Sequence, residues 1–147
     1  MPPQDHVAPP ALGWGFLGAS GISRTVAADL AITPGARLVA VGSRDAARAA
    51  AFAAEVAADR AHASYDDLVL DPDVDVVYVG TTHESHAELA GLAIAAGKAV
   101  LCEKPFAVSV AQAAPVLALA AERGVFCMEA LWTRFVPAIR AVLDLVA

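Results

Sequence analysis

The stretch "LGWGFLGASGISRTVAADLAI", residues 12–32, predicts a β-strand, a tight turn and an α-helix in direct succession. "LGWGFLG" is a short apolar run of the strand type, whereas "ISRTVAADLAI" has apolar residues at helical spacing and stops at Thr33-Pro34-Gly35. Small residues and glycine fill the turn between them. A strand that passes through such a turn into a helix is the opening unit of a parallel α/β sheet.

The rest of the chain repeats this alternation of apolar runs with alanine-rich helical patterns. The runs are continuously apolar rather than alternating, as expected for strands covered on both faces of a sheet. The sequence therefore predicts an α/β domain with a doubly wound parallel sheet. The further predicted strands are "RLVAVG", a short element near 61–64, "VDVVYVG", "KAVLC" and "VFCME", and the further helices are "DAARAAAFAAEVAA" after the N-cap Asp45, "ESHAELAGLAIAA" before Gly97, and "SVAQAAPVLALAAER" after the N-cap Ser109.

Composition excludes several classes of function. The net charge is −6 and no basic patch is interleaved with aromatic residues, so we expect no nucleic-acid partner. The longest charge-free run, 105–121, contains two prolines and polar residues, so we expect no membrane-spanning helix. Cys102 and Cys127 are too few for a metal framework and lie in apolar segments, which is typical of buried thiols; we expect no metal and a reducing, cytoplasmic setting.

The turn after the first strand is a candidate phosphate-binding loop. Gly18 holds the first position of a G-x-G-x-x-G pattern, but Ser20 and Ser23 replace the second and third glycines, and Gly21 lies between them. The free N–H groups at the start of the helix would still favour a phosphate. A merely tight strand–helix turn is the alternative. The candidate cofactor residues of this loop are Gly18, Ala19, Ser20, Gly21 and Ile22.

The end of the second strand, "GSRD", carries a further hint about the ligand. An NAD-binding domain usually places an acidic residue there, about 20 residues beyond the glycines, against the ribose 2′-hydroxyl. Ser43 and Arg44 occupy that place here, and a hydroxyl with a guanidinium suits a 2′-phosphate. The pattern favours NADP over NAD. The alternative is a solvated strand end whose Asp45 caps the next helix.

Four segments, in this order along the chain, resemble the Gfo/Idh/MocA oxidoreductases. They are "GFLGASGIS", "VGSRDAARAAAFA", "VDVVYVGTTHESHAELAGLAIAAGKAVLCEKPF" and "MEALWTRFVP". The last is most similar to the branch of dimeric dihydrodiol dehydrogenase and NADP-dependent xylose dehydrogenase. The resemblance implies a Rossmann fold, covers the chain from about Leu12 onward, and corresponds only to the first part of a family member, so that the family's C-terminal α+β domain is absent.

The resemblance implies a catalytic role for Lys104, beside the nicotinamide at the oxygen being interconverted. It also implies that Glu103 helps to hold the nicotinamide-side ribose and that Pro105 fixes the turn, with a cis bond as one way of doing so. These positions fit a parallel sheet, because its ligands bind beyond the carboxyl ends of the strands. A cation there would stabilise alkoxide character as hydride leaves carbon. A plain Lys–Glu pair at a strand end is the alternative.

The resemblance adds cofactor contacts from two further segments. In "GTTHESH", Thr81 and His86 match the family, whereas Thr82 and His83 stand where proline and asparagine are usual. Thr81 and Glu84 alternatively form a capping box, and His86 is read as a cofactor-side or packing residue rather than a base. From "EALWTRFVP" the resemblance implies that Trp132 and Arg134 border the nicotinamide, with a core tryptophan and a surface arginine as the alternative.

We therefore divide the chain into a flexible tail at 1–10, a dinucleotide-binding domain at 11–128, and the start of a connection to another domain at 129–147. Ile139, Val142, Leu143 and Val146 predict an amphipathic helix in that last part. The resemblance implies an NADP-dependent dehydrogenase that moves a hydride between a sugar or diol hydroxyl and the nicotinamide. We expect this chain alone to be inactive and the full-length form to be a homo-oligomer. The alternative is a non-catalytic NAD(P)-binding module or a truncated, inactive remnant.

Overall fold

The computed structural model describes residues 11–146, so the tail expected at 1–10 lies outside the described residues. The strands are β1 (Leu12–Leu17), β2 (Ala36–Gly42), β3 (Arg60–His62), β4 (Val76–Val79), β5 (Ala99–Cys102) and β6 (Cys127–Glu129). The helices are α1 (Gly21–Ala31), α2 (Ala46–Glu55), α3 (Tyr65–Val69), α4 (His86–Ala95), α5 (Val110–Arg123) and α6 (Pro137–Val146), with 3₁₀ turns at His83–Ser85 and Trp132–Phe135.

All six strands are parallel and lie in the order β3-β2-β1-β4-β5-β6. The predicted doubly wound α/β fold is confirmed. The strand order reverses between β1 and β4, and ligands of such sheets bind at this point, beyond the carboxyl ends of the strands. The loops that follow β1 and β4 therefore decide what the domain can hold.

The two faces of the sheet bury two apolar clusters. Phe16, Val41 and Tyr78 pack against α1 and α2 on one face, while their neighbours Leu17 and Val79 belong to the cluster beneath α3, α4 and α5 on the other. Successive strand residues point to opposite faces, so two covered faces require the uninterrupted apolar runs seen in the sequence.

Side-chain caps fix where the helices begin. Asp45 accepts from the Arg48 amide and Ser109 from the Gln112 amide, so both predicted N-caps are confirmed. Gly124 ends α5 in the left-handed conformation. Helix α3 was not predicted, because its five residues are too few to show helical periodicity; it begins where the Ser64 hydroxyl accepts from the Asp67 amide.

The apolar stripe predicted on the last helix is exposed. Ile139, Val142, Leu143 and Val146 all lie on α6, and each is at least 41% exposed. A second apolar surface is open on the α1 side of the sheet at β5 and β6, where a 370 Å³ groove is lined almost entirely by apolar side chains such as Leu101, Met128 and Phe126. Among the described residues, no helix has the length and apolar character that spanning a bilayer demands.

We expect these surfaces to make the chain self-associate at micromolar concentrations, because contiguous exposed apolar patches drive association. Leu143→Lys should shift light-scattering mass towards the monomer. Leu145→Lys is the matched control, since Leu145 is 84% exposed but lies outside the stripe. A monodisperse monomer for the unmodified chain at neutral pH would contradict this expectation.

Candidate functional site

Gly18 directly follows β1 and adopts a conformation that only glycine adopts easily, with φ of +106°. A Cβ atom at this position would lie 2.9 Å from Thr81 Cγ2 and 3.0 Å from the Gly80 carbonyl oxygen. The loop after β1 therefore packs directly against the loop after β4. The Gly18 amide donates to the Gly42 carbonyl at 3.0 Å, which ties the same turn to the end of β2.

The two serines that replace fingerprint glycines support this loop. The Ser20 hydroxyl accepts from the Ser23 amide at 3.2 Å, which caps α1, and donates to the Gly80 carbonyl at 2.8 Å. The Ser23 hydroxyl is fully buried and lies 2.9 Å from Ser20 Oγ. Space beside Gly21 is open for 4 Å around its Cβ position. Because the first amides of a helix have no intrahelical acceptor, an anion can approach them from this side.

At the end of β2 the structure presents two guanidinium groups. Ser43 is buried, its amide donates to the His62 carbonyl at 3.2 Å, and its Oγ accepts from the Asp45 amide at 3.2 Å. Arg44 follows it and is exposed, and Arg48 reaches the same place from the first turn of α2. Neither arginine forms an ion pair within residues 11–146. Sequence reasoning missed Arg48, although its place in the first turn of α2, three residues after the N-cap Asp45, was a usable signal.

A cavity of 210 Å³ joins the glycine loop to these arginines. It brings together six of the residues predicted from the sequence, namely Gly18, Ala19, Ser43, Arg44, Thr81 and Thr82. Its remaining lining was not predicted and consists of Arg48, Tyr65, Ser85, Glu88 and Leu89. The predicted residues from three separate loops thus face one groove at the point where the strand order reverses.

The loop after β4 is held by its own hydroxyl groups. Thr81 Oγ1 lies 2.8 Å from Ser85 Oγ, which donates to the Thr82 carbonyl at 2.8 Å. The capping box considered for Thr81 and Glu84 does not form, because the N-cap of the 3₁₀ turn is Thr82 and the Thr81 hydroxyl contacts Ser85 instead. His83 is exposed and lies outside the 210 Å³ groove.

Lys104 lies in the turn after β5, and the hydrogen bonds of Glu103 hold the backbone of this turn. Tyr78 Oη donates to Glu103 Oε1 at 2.9 Å, and Glu103 Oε2 accepts from the Lys104 amide at 3.1 Å. The Lys104–Pro105 bond is cis, and the Lys104 side chain is exposed. Burial, and next the Glu103 carboxylate, raise the pKa of Tyr78 well above its ordinary value. The sequence did not show that Tyr78 holds this carboxylate.

His86 is completely buried rather than open to the groove. Its Nδ1 lies 2.7 Å from the Pro105 carbonyl oxygen and its Nε2 lies 3.2 Å from the Thr81 carbonyl oxygen. The ring therefore links the Lys104 turn to the loop after β4. Of the two roles considered for His86, cofactor-side or packing, complete burial favours packing: the ring lies behind the groove, where it positions the two loops.

The other end of the predicted site is an apolar cavity of 390 Å³ on the α1 side of the sheet. It brings together Ile22, Glu103 and Trp132, with Tyr78 in its wall. Trp132 is 67% exposed, so it is not a core residue. Arg134 is exposed and lines neither this cavity nor the 210 Å³ groove. Within residues 11–146 no cluster of three His, Cys, Asp or Glu side chains could hold a metal ion.

Comparisons with known proteins also indicate a dinucleotide-binding oxidoreductase domain. The family model GFO_IDH_MocA, described as an oxidoreductase family with an NAD-binding Rossmann fold, matches residues 12–131. The chain is 44% identical over 139 residues to trans-1,2-dihydrobenzene-1,2-diol dehydrogenase of Sus scrofa, covering 93% of this chain and 42% of that protein. The Homo sapiens enzyme of the same name is 43% identical with the same coverage. The chain thus spans less than half the length of these curated relatives.

Solved structures show the same fold. A 3-ketoreductase from Actinomadura kijaniata in complex with NADP and TDP-benzene superposes with a TM-score of 0.85 at 32% identity, over 92% of this chain and 42% of that one. An NAD binding oxidoreductase from Klebsiella pneumoniae gives a TM-score of 0.83 at 32% identity, over 92% of this chain and 38% of that one.

Proposed function

Because this chain belongs to the Gfo/Idh/MocA oxidoreductases, a family with an NAD-binding Rossmann fold, we propose that it is the cofactor-binding part of an NADP-dependent dehydrogenase. Its substrate is the secondary hydroxyl of a sugar or diol. The observation that carries the proposal is the 210 Å³ groove, which has the glycine loop at one end and the side chains of Arg44 and Arg48 at the other.

The two ends of the groove suit the two phosphate groups of NADP. The first amides of α1, near Gly18 and Gly21, would hold the pyrophosphate, because the helix dipole favours negative charge there. Ser43, Arg44 and Arg48 would hold the 2′-phosphate. Guanidinium groups match phosphate oxygens in geometry as well as in charge. The acidic residue that would bind an unmodified ribose is replaced by Ser43, whose hydroxyl can donate to a phosphate.

The nicotinamide end lies towards Glu103 and Trp132, near Lys104. The bound dinucleotide supplies the hydride acceptor when an alcohol is oxidised. Glu103 is held by Tyr78 and binds the nicotinamide-side ribose, while the Lys104 ammonium donates to the reacting oxygen and stabilises its developing negative charge. His86 sets the position of this turn through the carbonyl oxygen of Pro105. Thr81 and Thr82 would form the wall opposite the ribose, with His83 beside them. Ile22 and Trp132, which line the 390 Å³ cavity, would border the nicotinamide, whereas Arg134 lies outside that cavity.

A second candidate function is an NAD(P)-binding module without catalysis. It is favoured by the lack of a free proton acceptor in the two side chains that hold the Lys104 turn: His86 and Tyr78 are fully buried and already hydrogen-bonded. Neither is free to take the proton of an alcohol. Cofactor binding with no turnover, in this chain and in longer forms of it, would distinguish this candidate.

The remaining parts of the proposal concern setting and assembly. Cys102 and Cys127 are both free thiols, and burial raises the pKa of Cys102 to about 12, which suits a reducing, cytoplasmic location. The exposed stripe on α6 is a surface of the kind that packs against further chain or another subunit. We propose a homo-oligomer for the full-length form.

We expect the chain to bind NADPH at least about tenfold more tightly than NADH, because the 2′-phosphate gains charge-assisted hydrogen bonds from Arg44 and Arg48. Arg44→Asp should reverse the order, since a carboxylate repels the phosphate and accepts from the free ribose hydroxyl. Dihydronicotinamide fluorescence titrations at fixed ionic strength measure both affinities. Arg123→Asp, on α5 and outside the groove, is the control for net charge. A preference for NADH in the unmodified chain would overturn the NADP assignment.

A further inference from the structure

The 210 Å³ groove continues into a second cavity of 630 Å³ between α3 and α4. Four residues line both cavities and so form a shared wall, namely Arg44, Tyr65, Glu88 and Leu89. Their properties differ: Arg44 and Tyr65 offer planar groups, Leu89 is a buried apolar side chain, and Glu88 is an exposed carboxylate on α4. None of these except Arg44 was singled out from the sequence.

The following inference rests on the proposed function, because it concerns the base of the same dinucleotide. With the pyrophosphate held at α1 and the adenine-side ribose beside Ser43, the shared wall would hold the base, because its four residues join the ribose end of the groove to the 630 Å³ cavity. A purine there has its faces available to the planar groups of Arg44 and Tyr65, and its edge available to Glu88.

We propose that Glu88 selects adenine by accepting a hydrogen bond from its exocyclic amino group. An ionised carboxylate has acceptors only, so it pairs with the two N–H groups of the adenine amine. Hypoxanthine and guanine carry a carbonyl oxygen at this position, with which a carboxylate cannot pair, and their nearest donor is N1–H, one ring position away; the carboxylate therefore loses its partner at the position it faces. Glu88 is therefore a specificity-determining residue for the base, separate from the arginines that recognise the 2′-phosphate.

The charge of Glu88 would otherwise be unfavourable in this groove. It forms no ion pair within residues 11–146, and it faces the same cavity that holds the 2′-phosphate site. A carboxylate near a bound phosphate weakens phosphate binding unless the ligand offers it a donor. Adenine offers that donor. A carboxylate that merely offsets the charge of Arg44 and Arg48 would instead weaken every phosphorylated ligand alike.

The test compares NADPH with reduced nicotinamide hypoxanthine dinucleotide phosphate, which differs from it only at the base and has the same dihydronicotinamide fluorescence. We expect the unmodified chain to bind NADPH about tenfold more tightly, as expected for a hydrogen bond to a charged acceptor. In Glu88→Gln, whose amide both donates and accepts, the ratio should fall to within about twofold. Glu122→Gln, on the exposed side of α5, makes the same change of charge and should keep the tenfold ratio.

The results separate this inference from the proposed function. Weak binding of both dinucleotides by the unmodified chain would count against the NADP site itself. Tight but equal binding of the two would overturn the role of Glu88 and leave the NADP site intact. The role is also overturned if Glu88→Gln tightens both ligands by the same factor, because Glu88 would then act only through its charge.

Discussion

We expect the 147-residue chain to bind NADPH and yet to oxidise sugars or trans-diols at no more than a trace rate. On the proposed function Lys104 polarises the reacting oxygen, but an alcohol must also lose its proton. The buried titratable groups around the turn are not placed to take it. His86 and Tyr78 are buried and already hydrogen-bonded, to the Pro105 carbonyl and to Glu103. Burial also raises the pKa of the Cys102 thiol to about 12. General acid–base help is worth about 10²–10⁴-fold, and substrate positioning adds to that.

The measurement is NADPH formation with a panel of aldoses, inositols and trans-diols. A second protein, residues 1–146 joined to the C-terminal part of the Sus scrofa dihydrodiol dehydrogenase, should turn over. In that fusion Lys104→Ala should lower kcat by at least about 100-fold while changing NADPH affinity by less than about threefold, because Lys104 acts on the reacting oxygen. Brisk turnover by the 147-residue chain would contradict the account and make His86 the first residue to replace.

The largest effect on stability is expected at Gly13. A Cβ atom on Gly13 would lie 1.9 Å from the Asp73 carbonyl oxygen and 2.9 Å from Val39 Cγ2. The backbone is held there on both sides, because the Gly13 amide donates to Asp75 Oδ2 and its carbonyl accepts from the Asp75 amide, both at 2.7 Å. We expect Gly13→Ala to lower the free energy of unfolding by about 3 kcal/mol.

Thermal unfolding followed by circular dichroism measures this change. Gly91→Ala is the matched control, since Gly91 lies inside α4 and its added Cβ would meet nothing closer than Val116 Cγ2 at 3.8 Å. Alanine should stabilise that helix by about 0.5–1 kcal/mol, because glycine is the poorer helix former. The two variants should therefore move Tm in opposite directions. Equal Tm values for Gly13→Ala and the unmodified chain would show that the loop before β4 is not in tight contact with β1 at Gly13.

What the sequence predicted were features that depend on local pattern. Continuous apolar runs gave the strands, and Asp45 and Ser109 marked helix starts, because caps act over three residues. Contacts between distant segments could not be read in this way. The Ser20 hydroxyl caps α1 and also donates to Gly80, sixty residues further along, which only the folded sheet brings near.

The same reason explains what was missed at the candidate site. Arg48, Tyr65 and Glu88 reach the groove from three different helices, and no single stretch of sequence shows that these helices converge. His86 matched the family motif and was therefore read as a cofactor-side or packing residue. Its burial beneath Pro105 depends on where β5 places the Lys104 turn, and therefore on tertiary packing.

The central claim is that NADP binds across the carboxyl ends of β1, β2 and β4. Amide chemical-shift mapping of the ¹⁵N-labelled chain with NADPH tests it most directly. The account predicts saturable changes at the amides of residues 18–22, 43–48 and 81–85, with α5 unchanged. No saturable change at millimolar NADPH, or changes centred on α5, would contradict it.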